Sequence, residues 1–566
     1  MALPRLARAV ALVTFALAAA SPTRAQPAAV PSDEEIRKIL VDRIDAQKQS
    51  VGIVVGVIEP SGRRIVSYGK LAKDDPRPLN GDTLYEIGSI TKVFTSLLLA
   101  DAVERGEVAL TDPVGKFLPG KVTVPERGGR SITLQDLATH TSGLPRMPTN
   151  FSPKDPGNPF ADYSFENMYA FLGGYQLTRD IGSQYEYSNF GAGLLGHALT
   201  LRTRSTDYEA LVRARVLAPL GMTSTAVTLS PSMKSRLATG HSATLEPAGN
   251  WDLPTLAGAG ALRSTTNDLL TFLAANIGYV KTPLAPAMAD MLTVRRPTGS
   301  PNLAIALGWH VLTTHGKDLV WHNGGTAGYR TFIGFDPAAR VGVVVLSNSG
   351  TAAGPDDIGR HLLDPSLPLL PAQVPPRTRT EISVDPQLME KYVGRYQLAP
   401  AAIITMTREG GRLFTQLTGQ PKVEVFAETD KDFFLKVVDA QLTFETDAAG
   451  KVTAVVLHQN GFDQRAKRIE GEPVVPKGIT LDAATLDGCV GHYQYSTATY
   501  TITREGTQLF AQITGQPKAE IFARSATEFF YTAVEAQITF ERDAQGKATA
   551  VVLHQMGRDL RWTRVE

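Results

Sequence analysis

At 566 residues the chain is too long for one packed core and predicts about three to five domains of roughly 100–200 residues each. Lys+Arg number 57 against 56 Asp+Glu, a net charge of +1 that offers no global field for nucleic acid or an anionic membrane, and 43% hydrophobic with 20% charged residues describes folded protein rather than a disordered or fibrous chain. The single cysteine, Cys489, excludes an intrachain disulfide and a cysteine-built metal cage, so packing alone must stabilise the fold.

Arg5 and Arg8 lead into an apolar run from Ala9 to Ala20, followed by Ser21-Pro22-Thr23-Arg24-Ala25. This is the pattern of a secretory signal peptide over residues 1–25, because the run is shorter than the about 20 residues that span a bilayer and small residues precede a cut after Ala25. The mature chain is expected to begin near Gln26 and to be periplasmic or secreted, with no membrane span after cleavage.

Ser32-Asp33-Glu34-Glu35 ahead of Ile36, Ile39, Leu40 and Ile44 predicts a capping box and an amphipathic helix ending near Gln47. Val51–Ile58 and Arg64–Tyr68 alternate around Pro60-Ser61-Gly62, the pattern of a β-hairpin. Helical stretches follow at Lys92–Arg105, Phe190–Leu199, Tyr208–Leu217 and Asn267–Ala275, and strands return at Leu319–His322, Thr331–Phe335 and Val341–Leu346. The layout predicts an α+β sheet domain, residues 26–364, closed by strands from both ends with a helical insertion between them.

Five prolines between 365 and 376 favour an extended linker, taken as residues 365–385. Beyond it the chain repeats. Glu409-Gly-Gly-Arg-Leu-Phe-Thr-Gln-Leu-Thr-Gly-Gln-Pro-Lys422 returns as Glu505-Gly-Thr-Gln-Leu-Phe-Ala-Gln-Ile-Thr-Gly-Gln-Pro-Lys518, and Phe433–Gly461 matches Phe529–Gly557 at 20 of 29 positions. Each copy holds about eight short alternating runs between Gly, Asp and Pro turns, which predicts two small antiparallel β-barrels or sandwiches at 386–472 and 473–566. His458 and His554 recur with the repeat and need no more than a place on a copied strand.

A serine nucleophile needs a base within reach, and Ser-x-x-Lys at the start of a helix supplies one because positions i and i+3 share a face. The spacing occurs twice, at Ser67–Lys70 and Ser89–Lys92. Ser67 ends a predicted strand, where i and i+3 point to opposite faces, whereas Ser89 follows Gly88 and opens the long apolar run from Ile90 to Leu99. At a helix N-terminus the free N–H groups and the dipole favour negative charge near the serine oxygen. Tyr187-Ser188-Asn189 precedes another helix, and His322-Asn323-Gly324-Gly325 ends a predicted strand.

In this order the motifs resemble the serine β-lactamase and penicillin-binding protein superfamily, in its class C β-lactamase and D,D-peptidase branch. The resemblance covers roughly residues 32–362 and includes Tyr85–Lys92, Leu137–Pro145 and Gly258–Thr265. It implies a β-lactamase/transpeptidase-like sheet domain and a Ser89 nucleophile that carries the acyl group. Lys92 and Tyr187 would share the proton transfers, with either the lysine or a phenolate as base. Asn189 would bind Lys92 and the substrate amide, and the N–H groups of Ser89 and Gly325, the residue after the motif glycine Gly324, would form an oxyanion hole. The Ser-Asp-Asn and Lys-Thr-Gly elements of class A enzymes are missing.

His322 departs from the pattern, since class C β-lactamases carry lysine there; a permanent cation gives way to an imidazole whose charge is expected to vary near neutral pH. In this it resembles D,D-carboxypeptidases, D-aminopeptidases and related esterases, and D-aminopeptidases of the superfamily can carry two appended β-barrels. The expected function is hydrolysis of a D-amino-acid peptide or β-lactam through an acyl-enzyme. Its alternatives are a carboxylesterase and a penicillin-recognising sensor that acylates without turnover. The expected partners are a small peptide, β-lactam or ester substrate and a cell-wall peptide, with no nucleic acid, metal or other cofactor.

Overall fold

The computed structural model describes residues 30–565, apart from 301, 352–353, 371–378, 419–421, 437–439, 460–461, 474, 496–497, 514–517 and 556–557. The expected signal peptide and the middle of the expected linker lie outside the described residues.

Ile53-Val54-Val55 and Val57-Ile58 make strand Gly52–Glu59 apolar on both faces, so both must be covered. It pairs antiparallel with Gly62–Ala72 on one side, Val55 opposite Val66, and with Val341–Ser347 on the other, Val55 opposite Val345. The two ends of the first domain thereby close one sheet. Its nine strands run in the order Asp75–Pro78, Gly62–Ala72, Gly52–Glu59, Val341–Ser347, Arg330–Asp336, Lys317–Gly325, His310–Thr314, Leu303–Ile305 and Arg296–Pro297. Alternation sends Val54 and Ile58 into the core that holds Phe94, Leu97, Leu270 and Phe272, while Ile53, Val55 and Val57 meet Ile36, Leu40, Ile358 and Leu362 of two outer helices.

Those outer helices are Asp33–Val41, with the Ser32/Glu35 capping box formed, and Asp356–Leu363. Arg43, in the π turn that extends the first, reaches Asp357 in the second at 2.6 Å, and both side chains are almost fully buried. Leu367 and Leu369 also pack on this layer, and the Leu370 N–H donates to Asp357 Oδ2 at 2.8 Å. The first residues of the expected linker therefore cover the first domain.

Each C-terminal copy is a closed antiparallel barrel of eight strands, Gly394–Ala399 through Phe462–Ile469 and Gly491–Tyr495 through Arg558–Arg564, whose first strand pairs with its last. A short helix precedes each, Pro386–Tyr392 and Ala483–Asp487, and a tyrosine hydroxyl (Tyr396, Tyr493) donates to the carbonyl four residues back. Phe433, Leu442 and Phe444 fill the first barrel as Phe529, Ile538 and Phe540 fill the second. Closure gives each described strand of a barrel a partner on both sides.

Candidate active site

The helix Thr91–Glu104 is apolar on all sides, and its residues from Thr91 to Ala102 are all buried, which makes it the central helix of the first domain. A 3-10 turn, Gly88–Ile90, leads into it and presents Ser89, half-buried in an otherwise buried run. The turn is pinned to its surroundings: the Ile87 N–H donates to the Leu262 carbonyl at 3.0 Å, and the Ile87 carbonyl accepts from Thr331 Oγ1 at 3.0 Å.

One turn on, Lys92 is 2% exposed. Its Nζ lies 2.9 Å from Ser89 Oγ, 2.9 Å from Asn189 Oδ1 and 2.7 Å from the Ala259 carbonyl. Burial, reinforced by the Arg146 charge, pulls the Lys92 pKa far below the ordinary lysine value. A neutral amine has two N–H donors and one lone pair, and Asn189 Oδ1 and the Ala259 carbonyl can only accept. The lone pair then falls to the Ser89 hydroxyl, which donates to it. Tyr187 shifts the other way: burial raises its phenol above the usual value, and the Ser89 hydrogen bond opposes this only in part. In its neutral form the amine therefore offers the serine its lone pair, beside a phenol that is neutral at neutral pH.

Tyr187 and Asn189 are held at the start of helix Asn189–Thr203, which Ser188 caps through Gly191 N. The ring of Tyr187 lies 4.8 Å from Lys92 Nζ, measured to its centroid. Strand Lys317–Gly325 brings Gly324 and Gly325 against the Ser89 turn: a Cβ on Gly324 would fall 1.9 Å from the Ile87 carbonyl oxygen, so only glycine admits this approach. The structure thus brings Ser89, Lys92, Tyr187, Asn189, Gly324 and Gly325 to one place. The other Ser-x-x-Lys is dispersed, Ser67 Oγ donating to the Leu79 carbonyl and Lys70 Nζ to the Lys73 carbonyl.

His322 differs from expectation. It is 0% exposed, its ring 6.2 Å from that of Tyr187 and 5.2 Å from that of His310. Burial, with His310 and Lys92 nearby, drives its pKa well below 6.5, so the imidazole is neutral throughout the neutral range instead of varying in charge there. Nδ1 lies 2.6 Å from the Asn323 carbonyl and so carries the proton, which leaves Nε2 a buried acceptor with no partner among the described residues. His140 and His310 are likewise neutral through burial, His310 with a pKa of about 4. His140 stacks 4.5 Å from the Tyr187 ring and accepts the Ser188 N–H at Nδ1, and His310 meets the Tyr185 hydroxyl at 3.2 Å.

His310, Tyr185 and Arg146 belong to no motif visible in the sequence, and His140 and Ala259 stand inside the longer segments Leu137–Pro145 and Gly258–Thr265 with nothing local to mark their parts. In the barrels, His458 bonds Asp463 and Thr443 across its strand, and His554 bonds Asp559 and Thr539 in the same way, so both nitrogens of each ring are occupied by structural partners.

The family model described as beta-lactamase matches residues 38–366, and one described as a domain of unknown function matches twice, at 378–473 and 475–564. The D-alanyl-D-alanine-carboxypeptidase/endopeptidase AmpH of Escherichia coli is 29% identical over 355 residues, 59% of this chain and 90% of that protein. Penicillin-binding protein 4* of Bacillus subtilis is 27% identical over 425 residues, 71% of this chain and 91% of its own. Among solved structures, the beta-lactamase/D-alanine carboxypeptidase of Yersinia pestis aligns with a TM-score of 0.50 at 26% identity, covering 56% of this chain and 92% of that one. The family match spans more than half of the chain, and on it this protein belongs to the beta-lactamase family.

Proposed function

We propose that this chain is an exported serine hydrolase that cleaves an amide, in a D-amino-acid peptide or a β-lactam, through an acyl-enzyme on Ser89. The observation that carries the reading is the buried Lys92 amine 2.9 Å from Ser89 Oγ, with Asn189 Oδ1 and the Ala259 carbonyl as its other partners and its pKa pulled well below the lysine value by burial. Lys92 is the base: it takes the Oγ proton as the oxygen attacks the carbonyl carbon. The N–H groups of Ser89 and Gly325 stabilise the oxyanion, a contribution of several kcal/mol in such sites, roughly 3–4 for one donor. Tyr187, a neutral phenol, gives its proton to the leaving nitrogen and is reprotonated from the Lys92 ammonium. Water then releases the acyl group by the reverse proton path, with Asn189 holding Lys92 and the acyl-side amide.

The division into a leader (1–25), a hydrolase domain (26–364), a linker (365–385) and two β modules (386–472 and 473–566) belongs to the same proposal, as do export and a mature N-terminus near Gln26. A carboxylesterase is the second reading, favoured by the neutral His322, which removes the cation that a substrate acid would meet. Hydrolysis of nitrocefin, D-Ala-D-Ala peptides, D-amino-acid amides and p-nitrophenyl esters by the full chain and by Ser89→Ala decides between them. Amide turnover abolished in Ser89→Ala is expected, and ester turnover alone would favour the second reading. A fluorescent penicillin that labels Ser89 without being released would indicate a sensor.

A further inference from the structure

We propose that Arg146 is the anchor for a carboxylate of the substrate and selects acid-bearing substrates at this site. The inference rests on the acyl-enzyme reading and names the substrate class within it. With His322 buried and neutral, recognition of an acid falls to another basic side chain, and three lie near the site. Lys92 is enclosed by three oxygens. Arg330, beside Gly325, is half-buried and bonds the Thr326 and Tyr329 carbonyls through Nη1 at 2.9 and 3.1 Å. Arg146 alone is exposed, and among the described residues its guanidinium forms no ion pair and no hydrogen bond.

Its contact is with the ring of Tyr187, whose centroid lies 5.1 Å from the guanidinium carbon. The backbone beneath it is fixed to the other site residues. The Arg146 carbonyl accepts the N–H groups of Asn189 and Phe190 at 3.0 and 3.3 Å, and the neighbouring Pro145 carbonyl accepts Ser188 Oγ at 2.7 Å. The segment carrying Arg146 therefore satisfies the first donors of the helix that carries Asn189, so charge and helix move together. The result is a firmly based, solvent-facing arginine with all five donors free, the geometry that binds a carboxylate through two parallel bonds. In a peptide with a free C-terminal residue, and equally in a penicillin, the carboxylate carbon is three bonds from the scissile carbonyl carbon. The acid is two bonds from the leaving nitrogen, the atom that Tyr187 is proposed to protonate, and Arg146 lies over the Tyr187 ring.

The test compares the full chain with Arg146→Gln and Arg146→Lys on matched substrates, an Nα-acylated D-Ala-D-Ala peptide and its C-terminal amide, with p-nitrophenyl acetate to report acylation by Ser89. The acid-to-amide ratio of kcat/KM is expected to fall about 10-fold or more in Arg146→Gln, chiefly through KM for the acid, and to recover in part in Arg146→Lys. An unchanged ratio overturns the proposal, whether both rates fall or neither does, because a charge acting only on Lys92 or Tyr187 would affect acid and amide alike. A parent that hydrolyses p-nitrophenyl acetate but no acid-bearing substrate also overturns it while leaving Ser89 as nucleophile. A parent whose Ser89 reacts with neither ester nor penicillin removes the acyl-enzyme reading itself.

Discussion

Gly88 and Gly325 meet backbone to backbone at the seam between the turn that bears Ser89 and the strand that bears His322: a Cβ built on Gly88 would fall 2.7 Å from the Gly325 nitrogen and 2.9 Å from its carbonyl oxygen. Gly88 also has φ +51, a conformation that disfavours a side chain. The two backbone segments thus approach as closely as they do because Gly88 on the turn and Gly324 on the strand carry no Cβ at the seam, and the proposed oxyanion donors belong to those segments.

Gly88→Ala is therefore expected to push the turn off the strand. The clash involves backbone rather than a flexible side chain, and a displacement of the order of 1 Å in a catalytic group costs about 10²-fold in rate. Labelling of Ser89 by a fluorescent penicillin or a fluorophosphonate should slow by that order while the circular dichroism of the chain is retained. Labelling at the parent rate would mean that the seam does not set the geometry of acylation.

The depressed pKa of Lys92 fixes the shape of the pH profile. The neutral amine is the reactive form, so acylation should rise as pH rises through that lowered pKa and level off well before an ordinary lysine, with its pKa of about 10.4, has lost its proton. Lys92→Ala should remove the rising limb and on the order of 10²-fold or more of the rate. A profile for the parent that still climbs steeply between pH 8 and 10 would point instead to a phenolate at Tyr187 or to an ordinary, exposed lysine.

Much of this was legible in the sequence, for physical reasons that differ from place to place. Alternating or continuous apolar runs specify strands and central helices locally, so Gly52–Glu59, Thr91–Glu104 and the barrel strands could be read directly. The helix read over Tyr208–Leu217 proved to be Tyr208–Val212 followed by a π turn, a distinction that apolar periodicity does not encode. Burial at the site was the harder quantity. His322 on a strand end looks like a solvent-titrating imidazole until His310 of the neighbouring strand and Tyr187 of a distant segment close around it. The buried ion pair of Glu86 with Arg263, at 3.1 Å, likewise joins two motif segments 177 residues apart that the sequence shows only as separate words.

The three histidines buried at the site, His140, His310 and His322, make stability depend on pH. Each binds its proton more weakly folded than unfolded, so below the unfolded value of about 6.5 the unfolded chain takes up protons that the folded chain refuses, and stability falls as pH falls. At one pH unit below that value each such group costs about 1.4 kcal/mol, and the loss deepens until the folded group itself titrates, at about 4 for His310. Urea midpoints of the first domain should therefore drop steeply between pH 7 and 5, and His310→Gln should flatten the drop. A midpoint constant across that range would mean that the imidazoles are solvated or paired in the folded protein.

Truncation tests the remaining architecture, and the structure fixes where to cut. Leu367 and Leu369 cover Ile358 and Leu362, the Leu367 carbonyl lies 2.8 Å from His361 Nδ1, and the Leu370 N–H bonds buried Asp357, the partner of Arg43. A domain ending at Asp364 loses this cover and leaves an Asp357 oxygen with one partner fewer, at a cost of roughly 1–3 kcal/mol. One ending at Leu370 keeps it. The Leu370 version should consequently melt several degrees above the Asp364 version, and both should retain labelling of Ser89, because every side chain within hydrogen-bond reach of Lys92 lies before residue 260. If the barrels shape access to the site, removing them after Leu370 leaves p-nitrophenyl ester hydrolysis within a few-fold of the full chain but changes the preference between short and long peptides. A folded Leu370 domain with an unchanged peptide profile would assign the barrels to tethering instead.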